Sequence, residues 1–165
     1  MAASKYTHKK PLNTVSVILL DEQDNILTLQ NGGDPRRSCI GGWITRDYDG
    51  PHTVEQAMDA AYTKIAQETN NGDTPEDVQE FYRTHSIQIL DSFSYDRREF
   101  AHLVVVARWI PGETPLIGAH KAEGRYLTHR HEWWSGHVFE KANNVKGCTK
   151  HDIHLFIKRG GVPLF

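Results

Sequence analysis

At 165 residues, with 38% hydrophobic and 24% charged side chains, the chain has the size of one domain and enough apolar material to close a core without disulfides or a metal. No run approaches the roughly 18 consecutive apolar residues that a membrane helix needs, and a formal charge of −2 offers no basic footprint for a nucleic-acid duplex, although ten histidines shift that balance in mild acid. Cys39 and Cys148 lack the close spacing of a zinc knuckle or redox pair, so a reduced, cytoplasmic setting is expected.

Met1 to Lys10 is polar and basic, and residues 1–12 read as a flexible leader, with a single domain over 13–165. Thr14 to Leu20 is rich in β-branched residues, the turn formers Asp21 to Asn25 interrupt it, and Ile26 to Gln30 resumes it, which predicts a hairpin. Asn31 to Pro35 breaks the pattern. Cys39 to Ile44 is a short strand whose paired glycines, Gly41 and Gly42, permit close backbone approach.

After a loop from Thr45 to His52, Thr53 is a candidate N-cap, with Gln56 three residues on to complete a capping box. The helix that follows carries Ala57, Ala60, Ala61, Ile65 and Ala66 at near-helical spacing, small residues that let it sit close to a sheet, and it should end at Asn70-Asn71-Gly72. Thr74 and Pro75 open a second, shorter helix to Tyr82. Strands from Ser86 to Tyr95 and Ala101 to Ile110 flank the charged turn Asp96 to Glu99 and form a second hairpin. A loop through Pro111 to Pro115 leads to a short strand, Gly124 to Leu127. The stretch His129 to His137 reads as a surface loop, and Thr149 to Lys158 as a terminal helix before Gly160-Gly161. This order is mixed α/β without the alternation of a doubly wound sheet.

Gly41-Gly42-Trp43 followed by Ala60 to Asn70 resembles the Nudix box, G-x5-E-x7-R-E-U-x-E-E-x-G-U, where U is a bulky aliphatic residue. Anchored on Glu68-Thr69-Asn70, the alignment sets Glu55 on the first glutamate of the box and Ile65 on U. The resemblance implies a Nudix-type α/β/α sandwich with a mixed β-sheet, an α+β architecture, and a diphosphate hydrolase that uses Mg2+ or Mn2+. The departures are specific. Thr63 and Lys64 stand in place of Arg-Glu, Gln67 replaces a glutamate, Asn70 replaces glycine, and extra residues separate Gly42 from Glu55. Positions 64, 67 and 68 share one helix face, where carboxylates gather a metal around a diphosphate. Lys64 puts a positive charge in that cluster and leaves Glu68 as the surviving ligand of the trio.

Glu68 and Glu55 are therefore the candidate catalytic carboxylates, Glu68 also the candidate metal ligand. Against these roles stand a helix ion pair between Glu68 and Lys64, and a dipole role for Glu55 and Asp59 near the helix start. Lys64, Arg36 and Arg37 are candidate phosphate contacts or solvated cations. Trp133, Trp134 and His129 are candidates to stack a base or supply a general base, or simply anchors of a surface loop. Two functions remain open: an atypical hydrolase of a nucleoside-diphosphate-linked compound, or an inactive Nudix-fold domain that binds a nucleotide or a protein partner.

Overall fold

The computed structural model describes residues 5–45, 51–70, 74–110, 120–121 and 127–159. Its centre is β1 (Leu12–Leu20), whose alternating side chains are apolar towards both faces. Val15, Val17 and Leu19 enter one buried cluster, while Ile18 and Leu20 enter another. A strand buried on both sides belongs in the middle of a sheet. The turn Asp21 to Asn25 returns the chain antiparallel as β2 (Ile26–Asn31). The Asp21 carboxylate holds this turn by accepting from the backbone N–H groups of Gln23 (2.9 Å) and Asn25 (2.8 Å).

β3 (Arg37–Ser38) pairs with β2, and β4 (Ile40–Trp43) pairs with β1. Then come α1 (Val54–Asn70), α2 (Pro75–Thr84) and the hairpin of β5 (Ile87–Asp96) and β6 (Ala101–Trp109). β7 (His120–Lys121), β8 (Leu127–Trp134), α3 (Gly136–Lys141) and α4 (Gly147–Lys158) complete the described chain. The sheet runs β5-β6-β1-β2-β8-β7, with β6 parallel to β1 and the remaining named pairs antiparallel.

α1 begins as the sequence predicts: Thr53 Oγ1 accepts from the Gln56 N–H (3.1 Å), and the Gln56 side chain accepts from the Thr53 N–H (2.9 Å). Ala57, Ala61 and Ile65 are fully buried against Val15, Val17, Leu103 and Val105, and Ala60 packs at the margin. On the opposite face Ile153 and Phe156 of α4 meet Ile18, Leu20, Val104 and Val106. The result is a mixed sheet between helical layers, the expected α/β/α sandwich.

Two expectations need correction. Residues 5–10 of the expected flexible leader lie along β5: Tyr6 Oη meets Ser92 Oγ at 2.6 Å, the Lys5 carbonyl accepts from the Ser94 N–H, and the N–H groups of Lys9 and Lys10 donate to Asp96. The expected loop at His129 to Trp134 is part of β8, hydrogen-bonded to β2 from Asn31↔Thr128 to Ile26↔Trp134. The expected strand Gly124 to Leu127 lies outside the described residues except for Leu127, which opens β8. The loop Pro111 to Pro115, residues 46–50 and Gly160-Gly161 also lie outside them.

Candidate functional site

The helical stripe that buries Ala57, Ala61 and Ile65 continues to Glu68 in the last turn, because steps of four, four and three residues return to one face. Packing therefore carries a carboxylate into the sandwich, where it is 9% exposed. Its Oε2 accepts from the Gly41 N–H at 3.2 Å, which ties the end of α1 to the Gly-Gly strand. Burial pushes the Glu68 carboxyl up to about 7, against the opposing pull of the Lys64 charge and the Gly41 hydrogen bond. Such a group carries both protonation states near neutrality, the condition for proton transfer.

Lys64, one turn earlier, reaches the same strand. Gly42 adopts φ +147°, and a Cβ placed there would stand 3.3 Å from the Lys64 Nζ. Glycine is favoured there by the backbone, and the missing side chain leaves room for the ammonium. From β8, the Nε2–H of His131 donates to the Glu68 backbone carbonyl at 2.7 Å. Trp133, two residues on, faces the same side of the sheet and packs half-buried at the margin of the α1-side core. The structure so brings together Lys64, Glu68, the Gly41-Gly42 backbone and His131, with Trp133 on the same side of the sheet.

It does not bring in the others. Glu55 lies exposed in the first turn of α1, thirteen residues from Glu68 and therefore about 20 Å away along the helix axis, too far to share an ion with it. Asp59 is also exposed. Arg37 points to the opposite face of the sheet from α1. Its guanidinium donates to Thr28 Oγ1 (3.0 Å) and the Arg130 carbonyl (2.7 Å), pairs with Glu132 (3.1 Å) and lies over the Trp134 ring. The expected grouping of Arg37 with Lys64 is thus not what the fold makes, because β3 adds to β2 in the register Gln30↔Arg37 and turns Arg37 towards α3. Arg36 is exposed and engaged by Asp34, and its side-chain hydrogen bond holds the Asp34 carboxyl at about 2.

Trp134 shares the Arg37 side: its indole N–H donates to Glu132 (2.8 Å) and its ring meets Phe139 edge-on at 5.2 Å. Neighbours on a strand point to opposite faces, so Trp133 and Trp134 cannot cover one base together. The His129 backbone pairs with Gln30, and its side chain lies outside the described set. Sequence reasoning placed His131 only within a loop. The strict alternation of His131 and Trp133 against Glu132 and Trp134 was the available signal for a strand that aims His131 at α1.

A second polar cluster lies on the α4 side. Asp152, 2% exposed, accepts from Ser16 Oγ (2.8 Å) and the Tyr95 hydroxyl, and sits 3.1 Å from His102 Nε2. The same Nε2 is 3.0 Å from Ser16 Oγ, and Nδ1 faces Thr14. A serine nucleophile triad needs the hydroxyl and the carboxylate on opposite ring nitrogens, so this cluster is a clamp between α4 and the sheet.

No family model matches the sequence, and no curated protein sequence matches it. Solved structures do match. A MutT protein from Methanosarcina mazei Go1 superposes with a TM-score of 0.52 at 11% identity, over 93% of this chain and 99% of that one. A NUDIX hydrolase from Nitrosomonas europaea gives 0.52 at 14% identity, over 94% of each chain.

The chain has the Nudix fold.

The shared architecture extends to a bifunctional NMN adenylyltransferase/ADP ribose pyrophosphatase from Francisella tularensis, solved with AMP and a manganese ion, at a TM-score of 0.51 and 16% identity. Here the match covers 95% of this chain but 44% of that one. Fold does not carry chemistry, which rests on the residues at the site. The last turn of α1 offers one carboxylate, Glu68, already engaged by Gly41, on a helix that also carries Lys64 and the neutral Gln67. Among the described residues there is no group of three or more His, Cys, Asp or Glu side chains placed to hold a metal. Hard divalent cations take about six oxygen ligands, several of them anionic, and this donor set does not fit Mg2+ or Mn2+. Among the described residues, no helix is long and apolar enough to cross a membrane.

Proposed function

We propose that this chain uses the Nudix fold to bind a nucleoside-diphosphate-linked compound at the last turn of α1, without metal-dependent turnover. The observation that carries this reading is the position of Lys64, whose ammonium stands against Gly42, at the position that the resemblance to the box would give to a carboxylate. A lysine there neutralises phosphate directly, as a point charge, where a metal bridge would otherwise be needed. Glu68, drawn into the core and bonded to Gly41, contributes to the shape of the site more than to ligation. Trp133, on the same side of the sheet, supplies an indole for an aromatic base. A structural relative, the bifunctional NMN adenylyltransferase/ADP ribose pyrophosphatase solved with AMP and a manganese ion, supports a nucleotide-like ligand class.

One observation favours hydrolysis as a second reading: a carboxyl at about 7 suits a general base. A panel of nucleoside-diphosphate-linked compounds, read by thermal shift and phosphate release together, separates the two. Stabilisation without release supports the binding domain. Release that a chelator abolishes selects a metal-dependent hydrolase, and no response to any phosphorylated compound leaves a protein partner as the remaining role.

A further inference from the structure

Away from the Lys64–Glu68 site, on the α4 side of the sheet, Gly136 and Phe139 of α3 and Lys150, His151, Ile153, His154 and Ile157 of α4 line a pocket of about 390 Å³. This volume is in the range of small-ligand sites. Its wall and rim differ in chemistry. Phe139 and Ile153 are buried and form an apolar wall, and Ile157 is an exposed large hydrophobic at 38%. Gly136 adds backbone to the α3 side of the lining.

The rim carries nitrogen donors. Lys150 donates from Nζ to the Ala142 carbonyl at 2.8 Å, which fixes its ammonium between the two helices and uses one of its three donors in that bond. The exposed imidazoles of His151 and His154 stand on the same helix, His151 held edge-on to Tyr95 at 5.0 Å. The acid of this helix, Asp152, points inward and is spent on Ser16, Tyr95 and His102. Among the described residues, no carboxylate lines the pocket.

We infer that the pocket between α3 and α4 binds a small anion with an apolar body, a carboxylate on an aliphatic chain, with its hydrocarbon against Phe139, Ile153 and Ile157 and its head group at Lys150 and His154. An apolar wall without a rim cation would take any hydrocarbon, and a rim without the wall would take any anion. The two together select for both parts of the ligand. The site is independent of the reading given to Lys64 and Glu68, which lie on the other face of the sheet.

The test uses the full chain with isoleucine methyls labelled for NMR, titrated with octanoate and, separately, with octanol. Octanoate is expected to shift the Ile153 and Ile157 methyls saturably, and to bind about tenfold more tightly than octanol, the factor that one charge-assisted contact supplies. His154→Glu, an exposed change that leaves the core intact, is expected to bring octanoate down to the level of octanol. Ile157→Asp is expected to weaken both ligands. Equal affinity for octanoate and octanol in the wild type would overturn the anion selectivity, and unmoved Ile153 and Ile157 methyls would overturn the site. So would concentration-dependent self-association that Ile157→Asp abolishes without any octanoate shift, since the face would then belong to a second copy of the chain.

Discussion

His131 on β8 donates its Nε2–H to the backbone carbonyl of Glu68 across 2.7 Å, and so joins an outer strand to the last turn of α1. The last four carbonyls of a helix have no partner within it, and this imidazole supplies one to the Glu68 carbonyl. His131→Ala should lower stability by about 1 kcal/mol in urea unfolding, the usual net worth of one hydrogen bond. His131→Gln, which keeps a donor, should recover part of it. Equal losses for the two variants would show that the ring's packing, and not its N–H, is what matters.

Two buried carboxylates should give opposite pH signatures. Burial raises the folded pKa of Glu68 to about 7, so the fold tolerates its neutral form best. Its cost is absent below the usual carboxylate range and grows as pH rises through that range to about 7. Glu68→Gln should therefore be more stable than wild type at pH 8, by roughly 3 kcal/mol at most from the size of that shift, and should match it near pH 4. Asp152 goes the other way. Burial alone would raise its pKa, but hydrogen bonds from His102, Tyr95 and Ser16 win and lower it. Its contribution is present above the ordinary aspartate range and is lost as pH falls, so Asp152→Asn should flatten the acid limb of the stability profile.

Ala61 is 1% exposed and belongs to the core cluster between α1 and the sheet. Ala61→Leu should overpack the interface and cost about 1–3 kcal/mol. Calorimetric melting checks it, and an unchanged Tm would mean that α1 can lift off the sheet without penalty.

The adjacent arginines should behave differently. Arg37→Ala removes donors from Thr28, the Arg130 carbonyl and Glu132 and uncovers the Trp134 ring, and should cost about 2–4 kcal/mol. Arg36→Ala removes an exposed contact to Asp34 and should leave the melting temperature where it was. A comparable loss at both positions would contradict the buried clamp described for Arg37.

The sequence made the local devices legible and the long-range pairings opaque. Thr53 and Gln56 sit three residues apart and reveal their reciprocal cap without knowledge of the fold, and the spacing of Ala57, Ala61 and Ile65 marks one helix face. The parallel pairing of β1 with β6, which joins two hairpins into one mixed sheet, leaves no trace in either strand's own period. β8 hid as a loop because its outward and inward positions are both filled with polar or amphipathic groups, His131 and Trp133 on one side, Glu132 and Trp134 on the other. The same gap misled the site reading. The alignment placed Lys64 and Glu68 on one face, but nothing local says that Arg37 enters the sheet through β2 and turns away from them.

The central claim is that Lys64, beside Gly42, lets this Nudix fold hold a diphosphate without a metal. Calorimetric titration of ADP-ribose into the full chain in the presence of chelator tests it most directly, with Lys64→Ala as the comparison. Saturable binding in chelator is the expected result, weakened about tenfold or more when the ammonium is removed, as for loss of a charge-assisted contact to phosphate. Binding that appears only with Mn2+ and is followed by release of AMP, or affinity in chelator that Lys64→Ala leaves unchanged, would contradict the account.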